Sequence, residues 1–217
     1  MMQFLENSGR YLPLLLQGVG ITIALTLAAL VISTLLGLVW ALMRYSGIAP
    51  LVFVSKAIVN TVRGIPILVQ LFYIYFVLPE FGIDLSAFQA GALGLGLAYS
   101  CYMAENFRAG LEAIDKGQIE AAQSIGMKWS LMMRRVILPQ AIRTVLPPYG
   151  NTMIMLLKDT SQASVITVAE LTMRGKLVAS STFDNMTVYT LVALLYLALS
   201  VPLVILASYL ERRFGAR

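Results

Sequence analysis

The chain has 217 residues, of which 59% are hydrophobic and only 12% charged, and its formal net charge is +5. A soluble domain carries about 25% charged residues, and a body this small could not hide so much apolar surface from water. The composition therefore excludes a soluble fold and points to an all-α polytopic membrane protein forming one domain, 1–217, whose cations flank apolar spans rather than nucleic acid. There is no histidine and one cysteine, Cys101, which removes imidazole metal sites and any disulfide within the chain. Cys101 itself reads as a small buried apolar residue.

The opening residues Met-Met-Gln-Phe-Leu-Glu lack a basic segment and no small-residue cleavage site follows, so a cleaved signal peptide is not expected. A crossing helix needs about 20 mostly apolar residues, and five stretches are expected to cross. The first lies in the uncharged run 11–43, which is too long for one simple crossing, so its start is expected to lie along the interface. The second is 57–78, with Arg63 near its entrance. The third is 85–104, where Ala92, Gly96 and Ser100 recur four apart beside Ala90, Gly94 and Ala98, a pattern that lets helices approach closely in lipid. The fourth, 140–157, is anomalous: its charge-free part holds Pro147-Pro148 and about 14 residues, only ~21 Å of helix. It is expected to be broken, buried among other helices or facing a water-filled cavity, the kind of segment where transporters bind cargo. The fifth is 186–210.

Loop charges set the orientation. Arg44, Lys56 and Arg63 flank the first connection; Arg108, Lys116, Lys128, Arg134, Arg135 and Arg143 crowd the third; Arg212, Arg213 and Arg217 end the chain. The connection 79–90 carries only Glu80 and Asp84. Because cytoplasmic loops collect Lys and Arg, the N-terminus is expected outside and the C-terminus in the cytoplasm.

The long cytoplasmic loop, about 112–141, contains a short helix with punctuation at both ends. Asp115 is expected as N-cap, with Gln118 three residues on as a variant capping box, and Gly126 suits the left-handed position past the helix end. Ser130 is expected to cap a second helix that stops at Pro139. A helix of about ten residues is marginal alone in water, so the first one needs tertiary contacts or a partner. Ala121 and Ala122 give it a small, approachable face, and Glu120 places an anion near its positive end. Helix physics alone leaves an ordinary surface helix open.

Glu120-Ala-Ala, Gly126, and Ile137-Leu-Pro-Gln-Ala141 resemble the EAA loop of permease subunits of ATP-binding-cassette (ABC) importers, in which this loop forms a coupling helix that docks on the ATPase subunit. Arg63-Gly-Ile-Pro-Ile-Leu-Val-Gln70, Ala104-Glu-Asn-Phe-Arg-Ala-Gly110, Lys116-Gly-Gln118 and Lys158-Asp-Thr-Ser161 are similar to the branch that imports polar amino acids such as histidine, arginine, glutamine and glutamate. The resemblance runs from about residue 18 to residue 213. It departs at Asn60-Thr-Val before Arg63, where many relatives have an acid and an aromatic or Leu, and at Gln162, where relatives often have Leu. The resemblance implies Gly117, Glu120, Ala121, Ala122 and Gly126 as the ATPase-coupling residues. It implies as partners a dimer of ABC ATPase subunits, a second permease chain (identical or paralogous), an extracytoplasmic solute-binding protein, a polar amino acid and membrane lipid, with no nucleic acid, all at the bacterial cell (inner) membrane. It also implies alternating access driven by ATP binding and hydrolysis.

No Gly-x-x-x-x-Gly-Lys-Ser/Thr cradle is present, and Gly175-Lys176 lacks the upstream glycine. ATP and Mg are therefore expected on the separate ATPase, with no cofactor in this chain and no catalytic or metal residues. An ionisable residue in a span is a functional candidate. Asp159 is expected to meet a substrate ammonium and the Thr160 and Ser161 hydroxyls its carboxylate, the alternative being a Lys158–Asp159 pair at the outer interface with Ser161 capping a turn. Gln70 and Tyr73 are candidates for the same path, or for helix packing. Glu105 and Arg108, three apart on one helix face, read as a structural ion pair or a gate between two permease chains. Two rivals remain: a secondary transporter or channel for small polar solutes, which leaves the capped loop helix unexplained, and a membrane scaffold, which has no use for polar residues at midplane depth.

Overall fold

The computed structural model describes residues 2–214; Arg217, counted above among the C-terminal cations, lies outside them. The described residues form helices and turns with no strand among them: α1 (Met2–Tyr45), α2 (Ala49–Gly64), α3 (Ile67–Phe72), α4 (Ala87–Glu112), α5 (Lys116–Ser124), α6 (Trp129–Met132), α7 (Leu138–Asp159), α8 (Leu171–Thr182) and α9 (Asn185–Phe214). On length and composition, α1 and α9 can each cross a bilayer, and α2 with α3 and its extension, bent by 100° at their break, is apolar enough only when the two are taken together. The 26 residues of α4 and the 22 of α7 make about 39 and 33 Å of helix. Their small and polar side chains keep them from standing out as apolar.

α4 is the hub. Ser86 opens it with a reciprocal capping box: its hydroxyl accepts from Gln89 N at 3.3 Å and its amide donates to Gln89 Oε1 at 2.9 Å. The small residues are used on two sides. A Cβ at Gly96 would sit 2.6 Å from Ile32 Cγ2 of α1, and one at Gly94 would sit 2.7 Å from Leu71 of α3. The central core joins Leu25 and Ala29 of α1, Leu71 of α3, Leu95 and Tyr99 of α4, and Leu156 of α7. A second core binds α1 to α8 and α9 through Leu15, Leu171, Val188 and Leu191.

The 11–43 run is part of one unbroken helix, Met2–Tyr45, which carries Pro13 inside it. The structure corrects three expectations. The 57–78 span is two helices meeting at the Gly64–Pro66 break, because a residue before proline is pushed to extended backbone and Ile65 adopts φ −104°, ψ 129°. Ser130 caps nothing: Lys128 occupies the N-cap of α6 and makes no side-chain cap bond. Pro139 does not stop the helix either. A π turn, Met133–Ile137, joins α6 to α7 ahead of Pro139. Tyr73–Val77 does the same ahead of Pro79, and in both places the wider turn makes room for a ring that lacks an N–H. Pro147 and Pro148 lie inside α7 without ending it.

Candidate functional site

In the loop between α4 and α7, α5 is built as the sequence reading expects at its two termini. Asp115 Oδ1 accepts from Gly117 N at 2.6 Å. Gly126 takes φ 75°, and the chain closes with Met127 N donating to Ala122 O at 3.1 Å, a left-handed helix end that glycine takes without a Cβ penalty. The capping box is incomplete, because Gln118 Oε1 accepts instead from Gln140 Nε2 of α7 at 2.6 Å. The two alanines face different ways. Ala122 is buried against Leu111, Ile114, Met132, Ile137 and Ala141, whereas Gly117, Glu120, Ala121 and Gly126 are exposed. Ile125 is 78% exposed at the same end, an apolar side chain left uncovered by the described residues.

Directly above that loop, Glu105 pairs with two cations. One carboxylate oxygen accepts from Arg44 of α1, and the other from Arg108 at 2.8 and 2.9 Å; Arg108 in turn pairs with Glu112. The Arg44 and Glu105 side chains are only 15% and 26% exposed. The expected Glu105–Arg108 pair is thus part of a four-residue ladder within one chain, tying α1 to α4. Arg44 was missed because it lies 61 positions from Glu105.

The segment after α7 holds the other candidates. Asp159 ends α7, and its carboxylate accepts from the Tyr99 hydroxyl at 2.8 Å. Thr160 is fully buried and its hydroxyl donates to Leu157 O at 2.7 Å, which ties it to the helix end. Ser161 is half-buried. Among the described residues Lys158 makes no ion pair with Asp159; it lines a cavity of about 480 Å³ with Tyr196 and Ser200 of α9. Gln70 is buried, and its amide nitrogen donates to Val62 O and Ile65 O, both at 2.8 Å, so it clasps the α2–α3 break. Tyr73 is 53% exposed. No hydrogen bond joins Gln70 or Tyr73 to Asp159, Thr160 or Ser161 among the described residues.

Sequence reasoning missed α8 and its cap. Glu170 is fully buried, and its carboxylate accepts from Thr172 N and Met173 N at 2.8 Å and from the Tyr196 hydroxyl at 2.7 Å. Glutamate is an uncommon N-cap, and 12 residues with little apolar periodicity give no signal of a helix. Lys176 of α8 reaches back to Ser164 Oγ at 2.9 Å. No cluster of three or more metal-ligating side chains occurs among the described residues.

These features can be set beside known proteins. The family model of the binding-protein-dependent transport system inner membrane component matches residues 33–216. The probable amino-acid ABC transporter permease protein YckA of Bacillus subtilis is 38% identical over 94% of this chain and 90% of its own length. The probable glutamine ABC transporter permease protein GlnM of the same organism is 42% identical over 88% and 89%. A solved structure, the crystal structure of an amino acid ABC transporter with histidines, superposes with a TM-score of 0.89 at 40% identity, covering 95% of this chain and 97% of that one. The long apolar helices, the capped loop helix and these likenesses agree, and the chain belongs to the family of binding-protein-dependent transport system inner membrane components, as a multi-pass transport subunit and not an enzyme.

Proposed function

We propose that this chain is the permease of an ATP-driven importer of polar amino acids, with α5 as the helix that a separate ATPase subunit grips. The observation that carries this reading is the exposed α5 with its glycine-closed end, set on a buried patch of its own loop. Gly117, Glu120, Ala121, Gly126 and Ile125 form the outward face, and Ala122 holds it from behind. ATP and Mg belong to the ATPase dimer. A second permease chain, identical or paralogous, completes the path, and an extracytoplasmic solute-binding protein delivers the cargo. The chain crosses five times as one domain, with α1, the bent α2–α3, α4, α7 and α9 as spans, its N-terminus outside and its C-terminus in the cytoplasm.

Asp159 is the cargo carboxylate, positioned by Tyr99 to meet an ammonium group, with Ser161 beside it. Thr160 shapes the helix end, since its hydroxyl is already committed. Gln70 sets the bend of the path, and Tyr73 lies on the exposed side of the same segment. The relatives named for amino acids and glutamine support the solute class. Co-purification tests the assembly: an ATPase subunit should come down in about equal amount, and substitutions at Glu120 and Gly126 that leave both attachment and uptake intact would remove the docking assignment. Competition of uptake by a panel of amino acids identifies the solute.

A further inference from the structure

The C-terminal end of α1 is fastened to both limbs that carry α5. On one side Arg44 pairs with Glu105, which also holds Arg108, and Arg108 pairs with Glu112 at the end of α4, just before the Asp115 cap. On the other side Tyr45 stacks on Trp129, the first residue of α6, with ring centroids 6.2 Å apart and planes 24° from parallel. Tyr45 also packs on the loop's own core, which contains Ala122 of α5. Two chemically different fasteners thus join the same two consecutive residues of α1 to the chain entering and the chain leaving α5.

An isolated exposed ion pair contributes little. This one differs, because Glu105 is shared between two cations and is largely shielded with Arg44, so one side chain's ordering serves two bonds. Without α1, α5 would be held by the patch around Ala122 and by the Gln118–Gln140 bond, and nothing would tie that loop to the end of α1.

We propose that Arg44, Glu105 and Arg108, together with the Tyr45–Trp129 stack, are positioning residues that lock α5 to the end of α1, so that displacement of α5 is delivered to α1 and α4 together. The proposal rests on the docking role of α5, and it assigns transmission, not attachment, to these five residues.

The test uses the complete transporter in liposomes, with three readouts: ATPase subunit bound per permease, ATP hydrolysed, and solute imported per ATP. Glu105→Gln and Arg44→Gln are expected to keep the ATPase bound while solute imported per ATP falls about five-fold or more, the scale of a coupling of two sites. Tyr45→Ala, which removes the stack and no charge, is expected to give the same phenotype. The exchange Arg44→Glu with Glu105→Arg is expected to recover part of the ratio. If all three single variants assemble and import at the wild-type ratio, the proposal is overturned. If the ATPase detaches in them, these residues serve attachment and the proposal is equally overturned, whereas loss of attachment only in Glu120 and Gly126 variants leaves both assignments standing. Were a variant to fail to assemble in the membrane, Tyr45→Phe against Tyr45→Ala gives the same comparison at constant charge, and equal ratios in the two overturn the role of the stack.

Discussion

The hydroxyl of Tyr99, in the middle of α4, donates to the carboxylate of Asp159 at the end of α7, 2.8 Å away. Tyr99 is 1% exposed and sits in the central core with Leu25, Leu71 and Leu156. The acid is therefore positioned by the most deeply packed part of the fold, with one carboxylate oxygen engaged and the other without a side-chain donor among the described residues.

Tyr99→Phe keeps the ring and removes the donor. A hydrogen bond to a charged group contributes about 1.5–3 kcal/mol, so the change is expected to loosen Asp159 and weaken apparent solute affinity about ten-fold, with a smaller effect on the folded fraction. Asp159→Asn should produce a larger loss that is selective for solutes with a free ammonium group. Uptake saturation curves for both variants decide this; unchanged affinity in Asp159→Asn removes it from the cargo site.

Gln70→Leu leaves the carbonyls of Val62 and Ile65 without their side-chain donor at the 100° break. Val62 O keeps its bond from Ile65 N at 3.3 Å, so Ile65 O is the acceptor left unpaired; its residue is 42% exposed, which puts the cost at about 1 kcal/mol, the low end for an unmade bond. The variant is expected to unfold at lower temperature in detergent, and Gln70→Glu, which has no amide donor, should be no better. Thermal unfolding of the purified protein measures both. A wild-type melting temperature in Gln70→Leu would falsify the clasp.

Gly96→Val forces a branched side chain against α1, where even a single Cβ would come within 2.6 Å of Ile32. Overpacking costs about 1–3 kcal/mol, so α1 and α4 should separate. Gly9, inside α1 where a Cβ meets nothing within 4 Å, supplies the control: Gly9→Ala should lower neither yield nor melting temperature, since alanine is the better helix former.

Asp184 lies outside the spans, between α8 and α9. The Thr187 hydroxyl and amide and the side chain of Asn7 hold its carboxyl below the usual carboxylate range. A depressed acid contributes stability above its unfolded pKa and loses it as pH falls through the folded value. The Asn7–Asp184 contact, at 2.7 Å, should therefore persist through the mildly acidic range and fail only once the pH falls below the usual carboxylate range. Melting curves against pH for wild type and Asp184→Asn should diverge above that range and converge below it.

The parts legible in sequence were those written in local chemistry. The α5 cap at Asp115, the left-handed Gly126 and the small-residue faces of α4 each follow from residues a few positions apart. What stayed hidden depends on distant partners. Arg44 is explained only once α1 lies along α4, and Gln70 stood between path and helix packing until the 100° break placed two carbonyls within its reach. Proline misled in both directions: Pro139 read as a stop because the π turn before it has no sequence mark, while Pro66, with its effect on Ile65, was passed over inside an apolar run. α8 was invisible because its cap is a buried glutamate and its apolar face is completed by α1 and α9.

The π turn before Pro139 has a mechanical consequence. By letting the chain pass the proline without unwinding, it makes residues 129–159 one continuous helical strut of about 46 Å, running from the tryptophan beside the capped loop to Asp159. A continuous strut can pass a tilt from end to end, with Pro147 and Pro148 near its middle as the place where it can bend. If it pivots near its middle, a tilt of about 5° shifts each end by about 2 Å in opposite directions, so a displacement of that size at the loop is enough to make or break a hydrogen bond at the acid.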